Sequence, residues 1–325
     1  MHPRMALLVG LLIALSYAAS GRDMNSAQNA PSTTIKSTPT LVTVPTVVRA
    51  ASGKVITTLK ASHFQLTDNG VAQRIFVEPV GTQPIALVVV LQTGGAGLSQ
   101  LKNYRQLEGL LDQMLGTSTR KVALVTFSTQ VEQIWAFPSS VDAIHSVLSH
   151  PEYIASRVKS SDTDAAITDA VDCAVGLFQR QPENFRRIIL LLSQGRDAGS
   201  NQHPEDVSRH LAESGATIYS VTFAPDGVRS DEHLWGDRGT AEELATFSGG
   251  EQVRFQDENE LERKMSMIGD DIRGAYTLSF YPTSKESGPH AIEVRITDSH
   301  KKNGAASVVL ARKRYWIASA PQLSQ

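Results

Sequence analysis

The chain has 325 residues, 41% hydrophobic and 20% charged, an ordinary globular composition that excludes wholesale disorder and a collagen-like repeat and allows one large or two modest domains. Lys and Arg number 31 against 33 Asp and Glu, a formal net charge of -2, so no broad positive field exists to hold nucleic acid or anionic lipid. The single cysteine, Cys173, can form no intrachain disulfide and cannot complete a thiolate zinc site alone; its place in an amphipathic run makes it a small core residue.

The chain opens with His2, Pro3 and Arg4, then the apolar run Met5 to Leu15, then the small residues Ser16 to Gly21. A short basic region, a greasy core and small residues are the layout of a secretory signal peptide spanning residues 1–20, cut after Ser20. The apolar run is shorter than the ~20 residues of a spanning helix, so membrane contact is expected only if this segment stays uncleaved. Secretion, or export to a periplasm, follows. Residues 21–40 are rich in Ser, Thr, Asn and Pro and read as a flexible linker. From Leu41 the pattern turns β-branched: Leu41 to Val48, a turn at Ser52-Gly53-Lys54, then Val55, Ile56 and Leu59. A second pair follows, His63 to Thr67 and Val71 to Val80, joined by Asp68-Asn69-Gly70, a strong hairpin signal. Residues 41–82 form an N-terminal β segment, too small to stand alone.

Between residues 83 and 273 strands alternate with helices. The run Ile85 to Leu91 is apolar throughout, is broken by Gln92-Thr93-Gly94-Gly95-Ala96-Gly97, and is followed by Leu98, Leu101, Tyr104, Leu107, Leu111 and Leu115 at helical spacing. Strands are expected at Lys121 to Ser128, Val131 to Phe137, Arg187 to Ser193, Thr217 to Ala224 and Gln252 to Phe255. Helices are expected at Val141 to Ser149, Asp164 to Arg180, Pro204 to Ser214, Thr240 to Ser248 and Glu258 to Ile272. Gly116, Gly215 and Gly249 close helices, and Asp257 or Thr240 opens them. Strands apolar on both faces require a doubly wound, mostly parallel α/β sheet with helices on both sides. Ligands in such folds gather beyond the carboxyl ends of the strands, which points to Gln92 to Gly97, the loop before Asp164, and Ser193 to Ser200.

The stretches LVVVLQTGGAG, DTDAAITDAV and RRIILLLSQGRDAGS match, in order and spacing, three signature stretches of the von Willebrand factor A domain, which the chain resembles from residue 84 to about 273. The flanks, His63 to Gly70 and Arg312-Lys313-Arg314-Tyr315-Trp316, are similar to a related branch common in acidobacteria. The resemblance implies a Mg²⁺ or Mn²⁺ site built from Asp-x-Ser-x-Ser, a Thr and a further Asp. This sequence has Gln92 for the first Asp, Gly94 and Ala96 for the serines, Ala165 for the Thr and Gln194 for the last Asp. Hard cations want anionic oxygens, so the expectation is a metal-free site, with no cofactor. A loop shifted by two residues could bring Thr163, Asp162, Asp164 and Asp197 to a rebuilt cation site; otherwise Asp162 and Asp164 serve the start of their helix.

Other chemistry is weakly marked. Gly94 to Gly97 lacks the Lys-Ser/Thr of a phosphate loop, His203 and His210 miss the zincin spacing, His145 and His150 flank a helix end, and no Gly-x-Ser-x-Gly occurs. An enzyme is not expected, nor a small-molecule substrate. Alternation in Ala275 to Tyr281 and Ala291 to Thr297, then Ser307 to Leu310 and Arg312 to Ile317, makes residues 274–317 a C-terminal β segment able to pair with the first one, and residues 318–325 a tail. The functional expectation is a secreted or periplasmic module binding a protein partner, of unstated identity, through Gln92, Thr93, Gly94, Thr163, Asp164, Gln194 and Asp197. The alternative is a structural spacer whose contacts run through the β unit and the Arg312 to Trp316 edge, where a cationic strand also guards against aggregation.

Overall fold

Alternation places Val42, Val44 and Val48 of the first strand, β1 (Val42–Arg49), on one buried face in the computed structural model, which describes residues 41–318 apart from 79, 82, 140, 150–153, 156–163, 182–183, 225–238 and 298–307. The run Val55 to Leu59, expected as a strand, keeps only a single bridge between Val55 and Arg49. β2 (Phe64–Asp68) and β3 (Val71–Ala72) then form the expected hairpin. Its turn is tight because Asn69 and Gly70 take φ of 48° and 82°, which those two residue types tolerate best.

A correction follows at Gln73-Arg74. Val71 to Val80 is not one strand: the chain changes sheet there, and β4 (Ile75–Glu78) pairs elsewhere. Two four-stranded sheets result, with β11 (Tyr276–Phe280), β12 (Gly288–Ile296), β13 (Val308–Ala311) and β14 (Arg314–Ile317) supplied by the C-terminal segment. Their orders are β13-β1-β11-β4 and β14-β12-β2-β3. Both chain ends therefore make one β-sandwich around Val44, Leu66, Leu278, Phe280 and Ile292.

The α/β part is a six-stranded sheet of order β10-β9-β8-β5-β6-β7. Its strands are β5 (Ile85–Gln92), β6 (Arg120–Phe127), β7 (Val131–Ser139), β8 (Arg186–Leu192), β9 (Thr217–Phe223) and β10 (Gln252–Phe255). All neighbours are parallel except the hairpin β6 and β7. Alternate residues of β5 serve opposite cores. Leu87, Val89 and Leu91 meet α2 (Leu107–Leu115) and α7 (Glu258–Gly274), whereas Val88 and Val90 meet α4 (Ile167–Leu177), α5 (Pro204–Ser214) and α6 (Thr240–Ser248). That explains the unbroken apolar run. The helical run after β5 is interrupted: α1 (Ala96–Gln100) passes through a 3-10 turn, Leu101–Tyr104, before α2 begins. α3 (Val141–Leu148) follows β7. Gly116, Gly215 and Gly249 close α2, α5 and α6 at positive φ, and Asp257 caps α7 by accepting the Glu260 N–H at 2.8 Å.

Buried arginines tie sandwich to sheet. Arg49, at the end of β1, donates from Nε to Asp271 of α7 at 2.8 Å and from Nη1 to Glu251 at 2.9 Å, with Nη2 bonding both carboxylates. Arg312, only 8% exposed, donates to the Ala212 carbonyl near the C-terminus of α5 at 3.3 Å; within the α/β part, Arg186 of β8 donates to Ile272 O near the end of α7. Helix C-termini carry partial negative charge, and each offsets some of the cost of a guanidinium whose affinity for its proton burial lowers, that of Arg312 to about 10. The basic-aromatic run is thus not a free edge: Arg312 and Tyr315 face inward and α5 packs on β14.

Two carboxylates share the single Arg49 guanidinium, so the cluster keeps an excess negative charge. Burial accordingly raises the Asp271 carboxyl to about 6 in spite of Arg49, while the bonds to Glu251 and Asp271 overcome burial and hold the Arg49 proton more firmly than usual. An unfolded Asp titrates near 3.9, so between about 4 and 6 the native state binds the extra proton. This group's contribution to stability therefore falls as pH rises through that window and is level above it. Arg49→Met leaves both carboxylates uncompensated and should cost about 3–5 kcal/mol at pH 7.5. The deficit should shrink at pH 5, where Asp271 takes up a proton; urea unfolding at both pH values measures it, and an equal deficit at each would refute the account.

Candidate functional site

Strand order reverses at β5, which connects first to β6 on one side and later to β8 on the other. The crevice at such a switch point, outside the carboxyl ends of the strands, is where α/β sheets bind ligands. Gln92 is the last residue of β5, and Gln194 lies two residues past β8. Ile85 to Leu91 and Ile188 to Leu192 are apolar, so these are polar groups emerging at the rim of a dry core.

The Gln92 carboxamide closes the crevice. Its oxygen accepts the Gln194 N–H at 2.9 Å, which fixes the amide's orientation. Its nitrogen then faces three oxygens: Gly94 O at 3.1 Å, Gln194 Oε1 at 3.2 Å and Asp164 O at 3.3 Å. Three converging oxygens are what a hard cation seeks, but here an amide N–H₂ sits among them. Close approach supports this arrangement: a Cβ on Gly97 would lie 2.5 Å from Gln92 O, so only glycine lets α1 start there.

Neighbouring loops are fastened by carboxylates. Ala165 and Ala198 form a two-way backbone bridge, 3.0 and 2.8 Å, and Ala166 N–H donates to Ser128 O at 2.8 Å. The helix expected from Asp164 therefore begins only at Ile167, and Asp164 is not in its first turn. That task falls to Asp197, from the loop after β8. Its Oδ1 accepts the Thr168 N–H at 3.0 Å and the Ser200 hydroxyl at 2.6 Å, and its own N–H donates to Thr240 Oγ1 at 3.3 Å. Asp169 receives the N–H groups of Asn201 and Gln202 at 3.0 and 2.8 Å. Thr93 donates to Phe127 O at 3.2 Å and lies 3.4 Å from Glu132, which the Ser128 hydroxyl also meets.

Gln92, Thr93 and Gly94 are buried and shape this face from beneath, while Asp164, Gln194 and Asp197 are half-buried. Leu98, on α1, is 52% exposed. Thr163 and Asp162 lie outside the described residues, as does His150. The sequence reading missed Asp169 and the Ser128–Glu132 pair, and it placed Ser200 in the right loop and Thr240 at a helix start without their link to Asp197; the Asp197-to-Ser200 spacing was the available signal for a local carboxylate turn. Among the described residues no group of three or more His, Cys, Asp or Glu side chains is placed to hold a metal ion. The residues at the cation positions the resemblance implies do not fit one: Gln92 presents N–H₂, Gly94 has no side chain, and Ala165 is fully buried against Ala198. Elsewhere, His210 Nδ1 meets Asp172 Oδ1 at 2.6 Å beside a cavity of about 490 Å³ between α4 and α5, and burial raises the Cys173 thiol, which keeps it protonated.

The family model of the von Willebrand factor type A domain matches residues 91–265. No curated protein matches the chain in sequence. Solved structures with a similar course include an aerotolerance-related membrane protein from Bacteroides fragilis, 17% identical over 57% of this chain and 98% of that one, TM-score 0.42. BatB from Bacteroides thetaiotaomicron is 17% identical over 58% and 98%, TM-score 0.43. Proximal thread matrix protein 1 from the mussel byssus is 14% identical over 69% and 51%, TM-score 0.45.

Asp197 acts as a cap supplied from another loop, so Asp197→Ala should cost about 1 kcal/mol, as loss of a helix cap does. Asp197→Asn keeps an oxygen for the Thr168 N–H and should cost less than half as much. Urea midpoints of the two variants check this ranking.

Proposed function

The chain belongs to the von Willebrand factor type A domain family, typically protein-interaction modules, and from that premise we propose a secreted or periplasmic module that binds a protein partner without Mg²⁺ or Mn²⁺. The observation that carries this reading is the Gln92 carboxamide among three oxygens, where its N–H₂ satisfies the groups a cation would otherwise draw together. An uncharged amide offers nothing for a partner's carboxylate to complete. Recognition then rests on shape and on groups at the surface: the exposed Leu98 and the half-buried Asp164, Gln194 and Asp197, with Thr163, next to Asp164 in sequence, as a further candidate. Gln92, Thr93 and Gly94 set the positions of those loops. Export is supported by the apolar run Met5 to Leu15 with its basic and small-residue flanks. On this face the Asp197 and Asp169 carboxylates are engaged in fastening loops, which supports a binding role over an enzymatic one.

Calorimetry of the chelator-treated chain with millimolar Mg²⁺, Mn²⁺ or Ca²⁺ should show no upward shift of the unfolding midpoint. A site filled at one hundred times its dissociation constant would add about 2.7 kcal/mol, with each kcal/mol worth roughly 2–4 °C, so a rise of several degrees would overturn the metal-free reading. Gln92→Glu, nearly isosteric, replaces the donor with an acceptor. It should lower the midpoint in chelator and recover several degrees with a divalent cation. Partner binding is tested with Leu98→Asp, which should leave the far-ultraviolet spectrum unchanged while reducing capture of an envelope protein. Failure of the unaltered chain to capture any would sink the module reading.

A further inference from the structure

β4 lies at the edge of its sheet: it pairs with β11 on one side, Ile75 with Phe280 through Glu78 with Thr277, and with no described strand on the other. Its sequence with the residue before it is Arg74-Ile75-Phe76-Val77-Glu78. Ile75 and Val77 turn into the sandwich core, so Arg74, Phe76 and Glu78 alternate onto the outer face. Phe76 is 46% exposed there, with the Arg74 guanidinium 5.8 Å from its ring centroid. Tyr281, 49% exposed, packs edge-on against Phe76 at 6.3 Å. Glu78 accepts a hydrogen bond from Gln83 Nε2 at 2.8 Å, which holds it in place.

We infer that this edge is a self-association surface on which β4 pairs antiparallel with β4 of a second copy about a two-fold axis at Phe76. The register follows from the residues. Centring on Phe76 sets Arg74 opposite Glu78 of the second copy, Ile75 opposite its Val77 and Phe76 opposite its Phe76, and the two-fold repeats the outer pairs. Each cross-strand pair is complementary, charge with opposite charge on the outer face and apolar with apolar on the inner, and such pairs are the unit of sheet stabilisation. A two-fold axis normal to the sheet keeps outer face with outer face, as an isologous contact demands. Charges on an edge strand ordinarily guard it against pairing. Here the guards repel a strand of other sequence but attract their own, and an exposed aromatic ring stands at the axis. Contact by strand addition draws its strength from main-chain hydrogen bonds and its selectivity from alternate side chains.

Sedimentation velocity of the full chain over a concentration series should reveal a reversible dimer. Arg74→Glu places like charges opposite each other twice and should weaken the dimer by about tenfold or more, and adding Glu78→Arg should restore it. A chain that stays monomeric throughout overturns the inference. So does association indifferent to both changes, which contacts through Met5 to Leu15 would give. Cross-linking supplies a measure independent of those charges. In a Cys173→Ser background, Phe76→Cys should form an intermolecular disulfide under mild oxidation much faster than Thr43→Cys, which sits on the exposed face of β1 away from this edge. Equal rates would place the contact elsewhere.

Discussion

A strand buried on both faces carries a long polar side chain at least cost where it leaves the core, and β5 leaves it at Gln92. Three loops at the carboxyl end of the sheet converge to satisfy that one amide. Its oxygen must have a donor and its nitrogen must have acceptors, because an unpaired amide at 1% exposure costs roughly 1–3 kcal/mol. Gln194, Gly94 and Asp164 supply them from three loops that are distant in sequence. Gly97 lets the start of α1 come close to Gln92, and the crevice is closed by hydrogen bonds within the chain. An acid at this position would need positive charge among the same oxygens. A carboxamide removes that demand, since its N–H₂ brings the positive end of a dipole without the desolvation penalty of an ion.

A second constraint joins the two halves of the molecule. Arg49 and Asp271 are 222 residues apart, and their contact forms only when the first strand of the sandwich lies against the last helix of the α/β part. Ordering such a long loop costs chain entropy that no local contact returns. A buried ion pair is weak evidence for net stability, but it is selective, because any other docking leaves a charge stranded. Arg312 works in the same sense, meeting α5 near its negative end, while Arg186 fastens β8 to the end of α7 within the α/β part. Two guanidiniums, Arg49 and Arg312, thus specify how sandwich and sheet meet, and the apolar contacts around them supply the free energy.

The fold was legible wherever one residue's environment is set by its neighbours in sequence. Ile85 to Leu91 announced a doubly covered strand, Gly215 and Gly249 announced helix ends, and Asn69-Gly70 announced a hairpin. What was not legible depends on partners far along the chain. The break at Gln73-Arg74 is invisible in a run of β-formers, because only the second sheet gives Ile75 and Val77 a place to go. Arg312 reads as a surface cation until the end of α5 is brought to it. At the site, the departures at Gln92, Gly94, Ala165 and Gln194 were readable one at a time. That Gln92 and Gln194 bond to each other, and that Asp197 rather than Asp164 serves the start of α4, required the geometry of three loops at once.

Site and edge also differ in what they ask of a partner. On the crevice face the strong hydrogen-bonding groups are largely spent inside the chain, so a ligand gains little from Gln92 or from Asp197 Oδ1 and must draw on Leu98 and the loop surfaces. Such contacts are governed by apolar area and fit, and they depend little on salt or metal. On the β4 edge the main-chain donors and acceptors have no described partner across the sheet, and Arg74 and Glu78 add a charge pattern that salt would screen. If both surfaces act, rising ionic strength should loosen the second while leaving the first nearly untouched. Pairing at the edge would then present two crevice faces in one assembly, and joint engagement of a multivalent partner raises avidity without any change in the contacts of either face.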